Sequence, residues 1–478
     1  MLKTITALAA VLLLSPFAAP GPAWAQDGRA GLEAVAKALG ASQLKSIQVN
    51  GTGVAFAVGQ SATPGAAWPQ FNLKSYARAI NYDTASLRIE QTLVRVDTRG
   101  GGLPGMGEAR QMLVVSGDHA WAVAGDTPSP QPRLQAELQL QLWGTPHGIV
   151  KAALANNGTM QRRVIAFILP GRLTVRAAVN DQNLVDRVEA VIPNPVVGDM
   201  RVEMTYSDYK DFGGVKFPTK IRQSFAGFPS LDLSVTDVQP NVAVNIQVPD
   251  AVRQTTNPYV RVTTQMVADG VWYVTGGSHH SVVIEMRDHV ILVESPLTDD
   301  RALAVIAEVK SLVPNKPIRY VIASHHHFDH SGGLRAAAAE GATVVTHESN
   351  RAFFERTLAA RATVKPDQLA KSGRKGMVEG VTDKRVLTDG NRVVEIHHIA
   401  GNNHEDGLLM VYLPKEKLLS QADTYTPAPP NAPPPAVVNP NSVNLADNIT
   451  RLGLAVDTHL PLHGRMVPMS ELNKAIGR

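Results

Sequence analysis

The sequence predicts an α+β chain of two domains, a mostly antiparallel β domain followed by a domain in which strands and helices alternate. In the first half, short alternating or β-branched runs are separated by Gly, Pro, Asn and Asp. In the second half, apolar strand-like runs are separated by segments with helical spacing. Only His119 and His147 of the 15 histidines precede residue 264, so we expect histidine chemistry in the second domain.

The composition is that of ordinary folded domains. The 478 residues are 44% hydrophobic and 18% charged, which excludes a wholly disordered, collagen-like or coiled-coil chain. The formal charge is only +4 and no dense Lys/Arg run occurs, so a nucleic-acid partner finds no support. Because the sequence has no cysteine, it excludes disulfides, a thiolate nucleophile and cysteine-bound zinc. Any metal must be held by histidine and carboxylate.

Residues 1–25 predict a cleaved signal peptide. Lys3 precedes an apolar run at 5–14, and Ala23-Trp24-Ala25 forms a cleavage motif before Gln26. A retained membrane anchor is the weaker alternative, because the apolar run is shorter than the roughly 20 residues of a spanning helix and Pro16 ends it. We therefore expect a soluble periplasmic or secreted protein with no stable membrane insertion.

Residues 26–250 predict the antiparallel β-rich domain, and 251–264 a linker. Strands are expected at 46–58, 86–96, 111–115, 162–169, 173–179, 185–191, 201–206, 216–225 and 231–238, and helices at 32–39 and 146–156. The segment 206–218 with the following strand 235–244 resembles the end of bacterial outer-membrane lipoprotein carrier domains. That resemblance implies a curved half-barrel whose apolar face holds a lipophilic molecule. A sheet that only packs on its neighbour is an equal alternative.

Residues 265–478 predict the α/β domain. Strands are expected at 270–275, 281–286, 290–293, 318–323 and 343–346, and helices at 299–312 and 334–339. Directly after the fourth of these strands comes Ser-His-His-His-Phe-Asp-His-Ser-Gly-Gly, residues 324–333. The C-terminal end of a strand is where open α/β sheets place their ligands. His325, His327, Asp329 and His330 have ligand spacing, so we interpret them as a metal site rather than a chance surface cluster.

This segment is similar to the His-x-His-x-Asp-His motif of the metallo-beta-lactamase superfamily, and the similarity extends from about residue 267 to the C-terminus. The resemblance implies a four-layered αββα sandwich with a metal-dependent hydrolytic site at one edge. Members of the superfamily cleave lactams, thioesters, lactones, phosphodiesters and sulfate esters, so the motif does not identify the substrate.

The third histidine of the first metal site is expected at His404, in a Gly-Asn-Asn-His-Glu-Asp-Gly run after a strand at 392–399. His397 and His398 compete for this role. Strand alternation would place these two on opposite faces within the sheet, so His404 is favoured.

Two further ligands are expected by position. Asp423 ends an apolar strand 19 residues after His404, where glyoxalase II and lactonase-type members carry an Asp that bridges both metals; a capping Asp is the alternative. His463, followed by Gly464, resembles the last ligand of the superfamily, with His459 as the alternative.

The resemblance therefore implies a dinuclear site. Metal one would have His325, His327 and His404, metal two would have Asp329, His330 and His463, and Asp423 would lie between them. This donor set suits two Zn²⁺, with Fe or Mn as alternatives, and implies a metal-bound hydroxide as nucleophile. Asp329 would also orient the nucleophile. Tyr425 is a candidate hydrogen-bond donor to a developing oxyanion, with ordinary packing as the alternative.

The predicted function is hydrolysis of an ester, lactone, thioester or phosphodiester bond in a small molecule. Because the sequence has no cysteine, lactamases of this superfamily that use a Cys ligand are excluded. Lactamases without a Cys ligand usually lack the bridging carboxylate, so the presence of Asp423 disfavours them as well. Lactam hydrolysis remains an alternative, as does a periplasmic carrier of a lipophilic ligand with a vestigial metal site. Three features could also shape the pocket: Glu294, which stands where many members have Asp, the pair His279 and His280, and the Pro-rich stretch 427–440.

Overall fold

The structure is a computed structural model that describes the chain at residues 23–255, 257–432 and 437–478, with side chains from residue 28 onward. The predicted fold class is confirmed: one large antiparallel sheet is followed by two mixed sheets that are covered by helices. The predicted signal peptide falls almost wholly outside the described residues. Among the described residues, no helix combines the length and apolar character that are needed to cross a membrane.

The first domain is built on a 13-stranded sheet in which every neighbouring pair is antiparallel. Its strands are β1 (Ser46–Phe56), β2 (Gln70–Asn81), β3 (Ser86–Arg95), β4 (Glu108–Ser116), β5 (His119–Ala124), β6 (Thr127–Pro130), β7 (Thr159–Gln161), β8 (Val164–Leu169), β9 (Leu173–Val179), β10 (Val185–Asn194), β11 (Gly198–Asp211), β12 (Lys216–Phe225) and β13 (Phe228–Pro240). β1 pairs with β13 as well as β2, so the two halves of the sheet meet there.

Three helices, α1 (Ala23–Leu39), α2 (Gln135–Trp143) and α3 (Pro146–Ala155), pack on one face of this sheet. Leu39 of α1, Leu140 of α2 and Ile149 of α3 are fully buried in the same core as strand residues such as Ile80 and Val175. The apolar face on which the carrier resemblance would place a lipophilic molecule is thus covered here by the chain's own helices.

The connection between the domains contacts both of them. Val252, in the short helix α4 (Asp250–Arg253), packs against Val114 and Trp121 of the first sheet. Asn257 donates from its side chain to Asp300 of the second domain at 3.0 Å. The predicted linker at 251–264 therefore contacts both domains.

The second domain contains two sheets. The first has β14 (Thr263–Ala268), β15 (Val271–Thr275), β16 (Ser281–Glu285), β17 (Val290–Val293), β18 (Ile318–Ile322), β19 (Thr343–His347) and β20 (Met377–Val381) in that order, and β17 to β20 are parallel. The second has β21 (Lys384–Thr388), β22 (Val393–His398), β23 (Leu409–Leu413), β24 (Leu418–Gln421), β25 (Thr458–Pro461) and β26 (Val467–Pro468), with β24 and β25 parallel.

The helices of this domain are α5 (Asp299–Leu312), α6 (Phe328–Ser331), α7 (Leu334–Ala339), α8 (Glu348–Leu358), α9 (Gln368–Ser372), α10 (Pro440–Arg451) and α11 (Met469–Ala475). Alternate strand residues divide between two cores: Leu292 faces α5 and α7, whereas Ile291 faces Val411 of the other sheet. Met410 faces the opposite way, toward α10 and α11. These three cores define the four layers α, β, β and α.

A second set of contacts joins the domains at the start of β11. Asp199 accepts hydrogen bonds on its carboxylate from the backbone N–H groups of Thr363 at 2.8 Å and Val364 at 3.0 Å, and from the Thr363 hydroxyl at 2.6 Å. Its own N–H donates to the carbonyl of Arg361 at 2.7 Å. The segment 361–364 of the second domain is thereby bound to the first domain at the start of β11.

Candidate metal centre

The histidine-rich segment leaves the C-terminal end of β18 and enters α6, with His327 as the residue before the helix. The ends of neighbouring elements place other polar groups at this edge: Glu294 follows β17, Asp423 follows β24 and His463 follows β25. Because β17 and β18 are parallel neighbours, as are β24 and β25, the residues that follow each pair meet at the same edge of their sheet.

Three histidines form the first cluster. The nitrogens His325 Nε2, His327 Nδ1 and His404 Nε2 are buried and have no hydrogen-bond partner among the described residues. With an oxygen of Asp423, the ligand atoms of these residues lie within 4.8 Å of one another. On two of the rings the other nitrogen is engaged, since His325 Nδ1 lies 2.8 Å from Ser324 Oγ and His327 Nε2 lies 2.9 Å from the carbonyl oxygen of Ser61. Unpartnered buried nitrogens directed at one point are what a metal ion would satisfy.

The second cluster contains His279, His330 and His463. His330 Nδ1 lies 2.8 Å from a carboxylate oxygen of Glu294, and His463 Nδ1 lies 2.9 Å from the carbonyl oxygen of Ser278. Because these oxygens only accept, each Nδ1 must donate, and each Nε2 of a neutral ring then carries a lone pair. The two Nε2 atoms lie 3.0 Å apart, close enough for both to bind the same cation.

Asp423 lies between the two clusters. Its Oδ2 is 2.9 Å from His404 Nε2 and 3.0 Å from His330 Nε2, and its Oδ1 is 2.9 Å from His463 Nε2. The residue has a positive φ of 61°, an uncommon conformation for a non-glycine residue that is associated with functional sites. One carboxylate therefore reaches ligand atoms of both clusters.

The protonation states fit a metal site. Burial, followed by the charge of His330, lowers the pKa of His325 to about 3, so this ring is neutral and able to bind a metal. For His330, burial opposes the charged form, but the carboxylates of Asp423 and Asp329 outweigh it and raise the pKa well above its ordinary value. These carboxylates favour positive charge at this position, which a proton or a divalent cation can supply.

Asp329 is held between two side chains. Its Oδ1 accepts a hydrogen bond from the Gln60 amide at 2.7 Å, and its Oδ2 lies 3.3 Å from His279 Nε2. Gln60 belongs to the first domain, and sequence reasoning missed it because a glutamine in the turn between two strands carries no motif. His279 and Glu294, which the sequence left undecided, both contact this site; Glu294 also accepts the N–H of Ser324 at 2.6 Å.

Other candidates lie elsewhere. The Tyr425 ring packs in the cluster formed with Leu445, Ile449 and Leu472 beneath α10 and α11, which gives no support to its predicted role as an oxyanion donor. The competing histidines have partners away from the two clusters: His397 contacts Glu395, His398 contacts the carbonyl of Asp406, and His459 contacts Met469. His280 contacts the carbonyl of Gly464 at 2.8 Å. Of the Pro-rich stretch 427–440, residues 433–436 lie outside the described residues; Pro427 lies beside Gly464.

Comparison with known proteins gives one curated relative and several solved structures. A 2,4-dinitroanisole O-demethylase subunit alpha from Nocardioides sp. (strain JS1661) is 27% identical over 168 residues, which are 35% of this chain and 48% of that protein. The chain thus spans about half the length of this relative. A metallo-beta-lactamase from Pontibacter korlensis gives a TM-score of 0.36 at 17% identity, over 45% of this chain and 98% of that structure. The DIM-1 metallo-beta-lactamase gives 0.35 at 15% identity, over 45% and 96%.

The family model of the metallo-beta-lactamase superfamily matches residues 274–464. This range contains both clusters, Asp423 and the strands of the two mixed sheets from β16 to β25. Residues 274–464 are therefore a metallo-hydrolase domain of the metallo-beta-lactamase superfamily.

Proposed function

We propose that the protein is an exported dinuclear metallo-hydrolase that cleaves an ester, lactone, thioester or phosphodiester bond in a small molecule. The observation that carries this proposal is the position of the Asp423 carboxylate, within 3.0 Å of imidazole nitrogens from both clusters. A site for one metal would not need a carboxylate shared in this way.

The donor set indicates which residues would hold each ion. His325, His327 and His404 would hold the first ion and His330 and His463 the second, with Asp423 reaching both. Asp329 is the third ligand that the sequence predicts for the second ion. In the structure His279 stands in that cluster, and Asp329 Oδ2 lies 3.3 Å from its Nε2. Imidazole and carboxylate ligands without sulfur suit Zn²⁺, with Fe or Mn as alternatives. When bound, two such ions lower the pKa of water toward neutrality and polarise the bond that is cleaved.

The protein's own groups would orient the reaction. Glu294 accepts a hydrogen bond from His330 Nδ1, and the Ser278 carbonyl accepts one from His463 Nδ1. Both rings therefore keep Nε2 available for a metal. Gln60 occupies Asp329 Oδ1. The other oxygen, Oδ2, which lies beside His279 Nε2, would then accept a proton from the attacking water.

The proposed substrate class rests on the ligand set. With no cysteine in the chain and a carboxylate between the clusters, lactam hydrolysis is the less favoured alternative, and a vestigial site in a lipophilic-ligand carrier is less favoured still. Cleavage of an aryl methyl ether is a second candidate, supported by the similarity to a 2,4-dinitroanisole O-demethylase subunit. Export rests on the signal-peptide pattern of residues 1–25.

Metal analysis and a substrate panel test this proposal together. We expect elemental analysis of the purified protein to give two ions per chain. A panel of lactones, thioesters, phosphodiesters, an aryl methyl ether and a chromogenic cephalosporin should show turnover of one class, and Asp423→Ala should lose both metal and turnover. Fewer than one ion per chain, or full activity in Asp423→Ala, would contradict the dinuclear hydrolase.

A further inference from the structure

Two loops of the first domain reach the metal centre. They are residues 57–63, between β1 and β2, and residues 97–102, after β3; we call them the wall loops. The carbonyl of Gly59 accepts the N–H of Phe328 at 3.3 Å, and Ser61 Oγ lies 3.2 Å from His326 Nε2. The first wall loop thus runs along the histidine-rich segment of the second domain.

The first wall loop determines which nitrogen of His327 can bind a metal. The Ser61 carbonyl lies 2.9 Å from His327 Nε2, and because a carbonyl only accepts, Nε2 must carry the proton. The lone pair then lies on Nδ1, which is the buried nitrogen without a partner. This support for a predicted ligand comes from a backbone atom of the other domain.

Gln60 contacts a second predicted ligand. Its side-chain amide donates to Asp329 Oδ1 at 2.7 Å. The backbone of Gln60 is itself held at both polar groups, since its N–H donates to the carbonyl of Ala57 at 3.2 Å and its carbonyl accepts the N–H of Gly101 at 2.9 Å. These backbone hydrogen bonds hold Gln60 in place, so its side-chain amide is already positioned beside Asp329.

The second wall loop approaches the site so closely that a Cβ at Gly101 would force a neighbouring side chain to move. A Cβ added at Gly101 would overlap Gln60 Oε1 and lie 2.9 Å from His327 Cε1. The φ of Gly101 is not in the left-handed region, so the constraint is steric. At Gly105, farther along the same connection, an added Cβ would meet nothing within 4 Å.

The wall loops also contact the segment that carries His404. The N–H of Gly100 donates to the carbonyl of Asn403 at 2.8 Å, the N–H of Asp406 donates to the carbonyl of Ala62 at 2.9 Å, and Thr63 Oγ1 donates to the Asp406 carboxylate at 2.6 Å. Arg99 also pairs with Asp406. These contacts lie on both sides of His404.

We propose that the first domain supplies one wall of the metal centre and that Gln60 is a positioning residue, which orients Asp329 toward the second metal. This inference rests on the proposed function, because it presupposes that Asp329 serves a metal. It gives the first domain a direct role in metal binding, beyond packing against its neighbour.

The test measures metal affinity in full-length protein. Gln60→Met keeps the length of the side chain and removes the donor, and Gly101→Ala displaces the Gln60 amide; Gly105→Ala is the matched control. Metal-free protein is titrated with Zn²⁺ against a chromophoric chelator, and the visible spectrum of the Co²⁺ form reports ligand geometry. We expect both variants to bind the second equivalent about tenfold more weakly, as outer partners of metal ligands do, and to have an altered Co²⁺ spectrum.

The outcomes separate the two proposals. Wild-type affinity and an unchanged spectrum in both variants would overturn the role of Gln60 and leave the dinuclear site intact. A wild-type protein that binds no metal would overturn the proposed function and this inference with it. If only Gly101→Ala is affected, the effect is steric and the role of the Gln60 amide is likewise refuted. Gly105→Ala should behave as wild type in each measurement.

Discussion

Replacing Glu294 by Gln should weaken the second metal position without changing the shape of the side chain. Glu294 is fully buried, and its two oxygens accept from the N–H of Ser324 at 2.6 Å and from His330 Nδ1 at 2.8 Å. An amide has one acceptor and one donor. If its oxygen faces Ser324, its NH₂ donates to His330 Nδ1, and the His330 proton moves to Nε2, where it blocks metal binding. If the amide is reversed, its NH₂ faces the N–H of Ser324, and two donors oppose each other.

Either arrangement loses one charge-assisted hydrogen bond, which is worth about 1.5–3 kcal/mol. This range agrees with the 10- to 100-fold loss of metal affinity, about 1.4–2.8 kcal/mol, that is typical when a group hydrogen-bonded to a metal ligand is replaced. Titration of metal-free protein against a chromophoric chelator measures the two binding constants. The control is Glu395→Gln, which alters a carboxylate paired at 2.8 Å with His397, a histidine outside both clusters. Unchanged second-site affinity in a folded Glu294→Gln protein, or an equal loss in the control, would refute this reasoning.

Three predictions concern stability. Burial lowers the pKa of His147 from 6.5 to about 4. Because the unfolded chain takes up a proton that the folded chain does not, the free energy of unfolding should fall by about 3 kcal/mol between pH 7 and pH 4. Denaturant melts of His147→Gln should show a smaller dependence of this free energy on pH, and an equal dependence would contradict the prediction. At Gly332 an added Cβ would overlap the carbonyl of Leu297, so Gly332→Ala should lower the free energy of unfolding in urea melts by about 2–3 kcal/mol. Gly277→Ala is the control and should leave it unchanged, because an added Cβ there would meet nothing within 4 Å. Arg301 is 1% exposed and donates to several backbone carbonyls. Arg301→Met should therefore lower the free energy of unfolding by about 3 kcal/mol. A decrease below about 0.5 kcal/mol would show that those carbonyls find other partners.

The sequence predicted those parts of the fold whose local pattern is regular. The helix at 299–312 and the strands at 173–179 and 216–225 have the predicted bounds. In contrast, β2 was missed because a bulge between Leu73 and Ser75 shifts its register and breaks the alternation. α2 was also missed: its leucines Leu138, Leu140 and Leu142 alternate with glutamines, which gives the period of two that is typical of a strand and not a helical period.

The candidate site divides in the same way. His325, His327, His404, Asp423 and His463 follow strands at a spacing that can be found in the chain, and the structure brings them together. The contact of Gln60 with Asp329 joins residues 269 positions apart. No local pattern encodes such a pair, because it depends on how two domains pack. Tyr425 shows the converse, since its closeness to Asp423 in the chain does not bring its ring to the ligand atoms.

The contacts of Asp199 with the segment 361–364 have a consequence for how a substrate enters. The two domains are joined there and again where Asp406 meets Thr63 and Ala62. A rigid rotation about either junction would break the hydrogen bonds of the other. Opening by a hinge, as in two-domain enzymes with a single joint, is therefore disfavoured. A substrate should reach the metal centre through movements of side chains and short loops, so binding should leave the overall dimensions of the protein in solution unchanged.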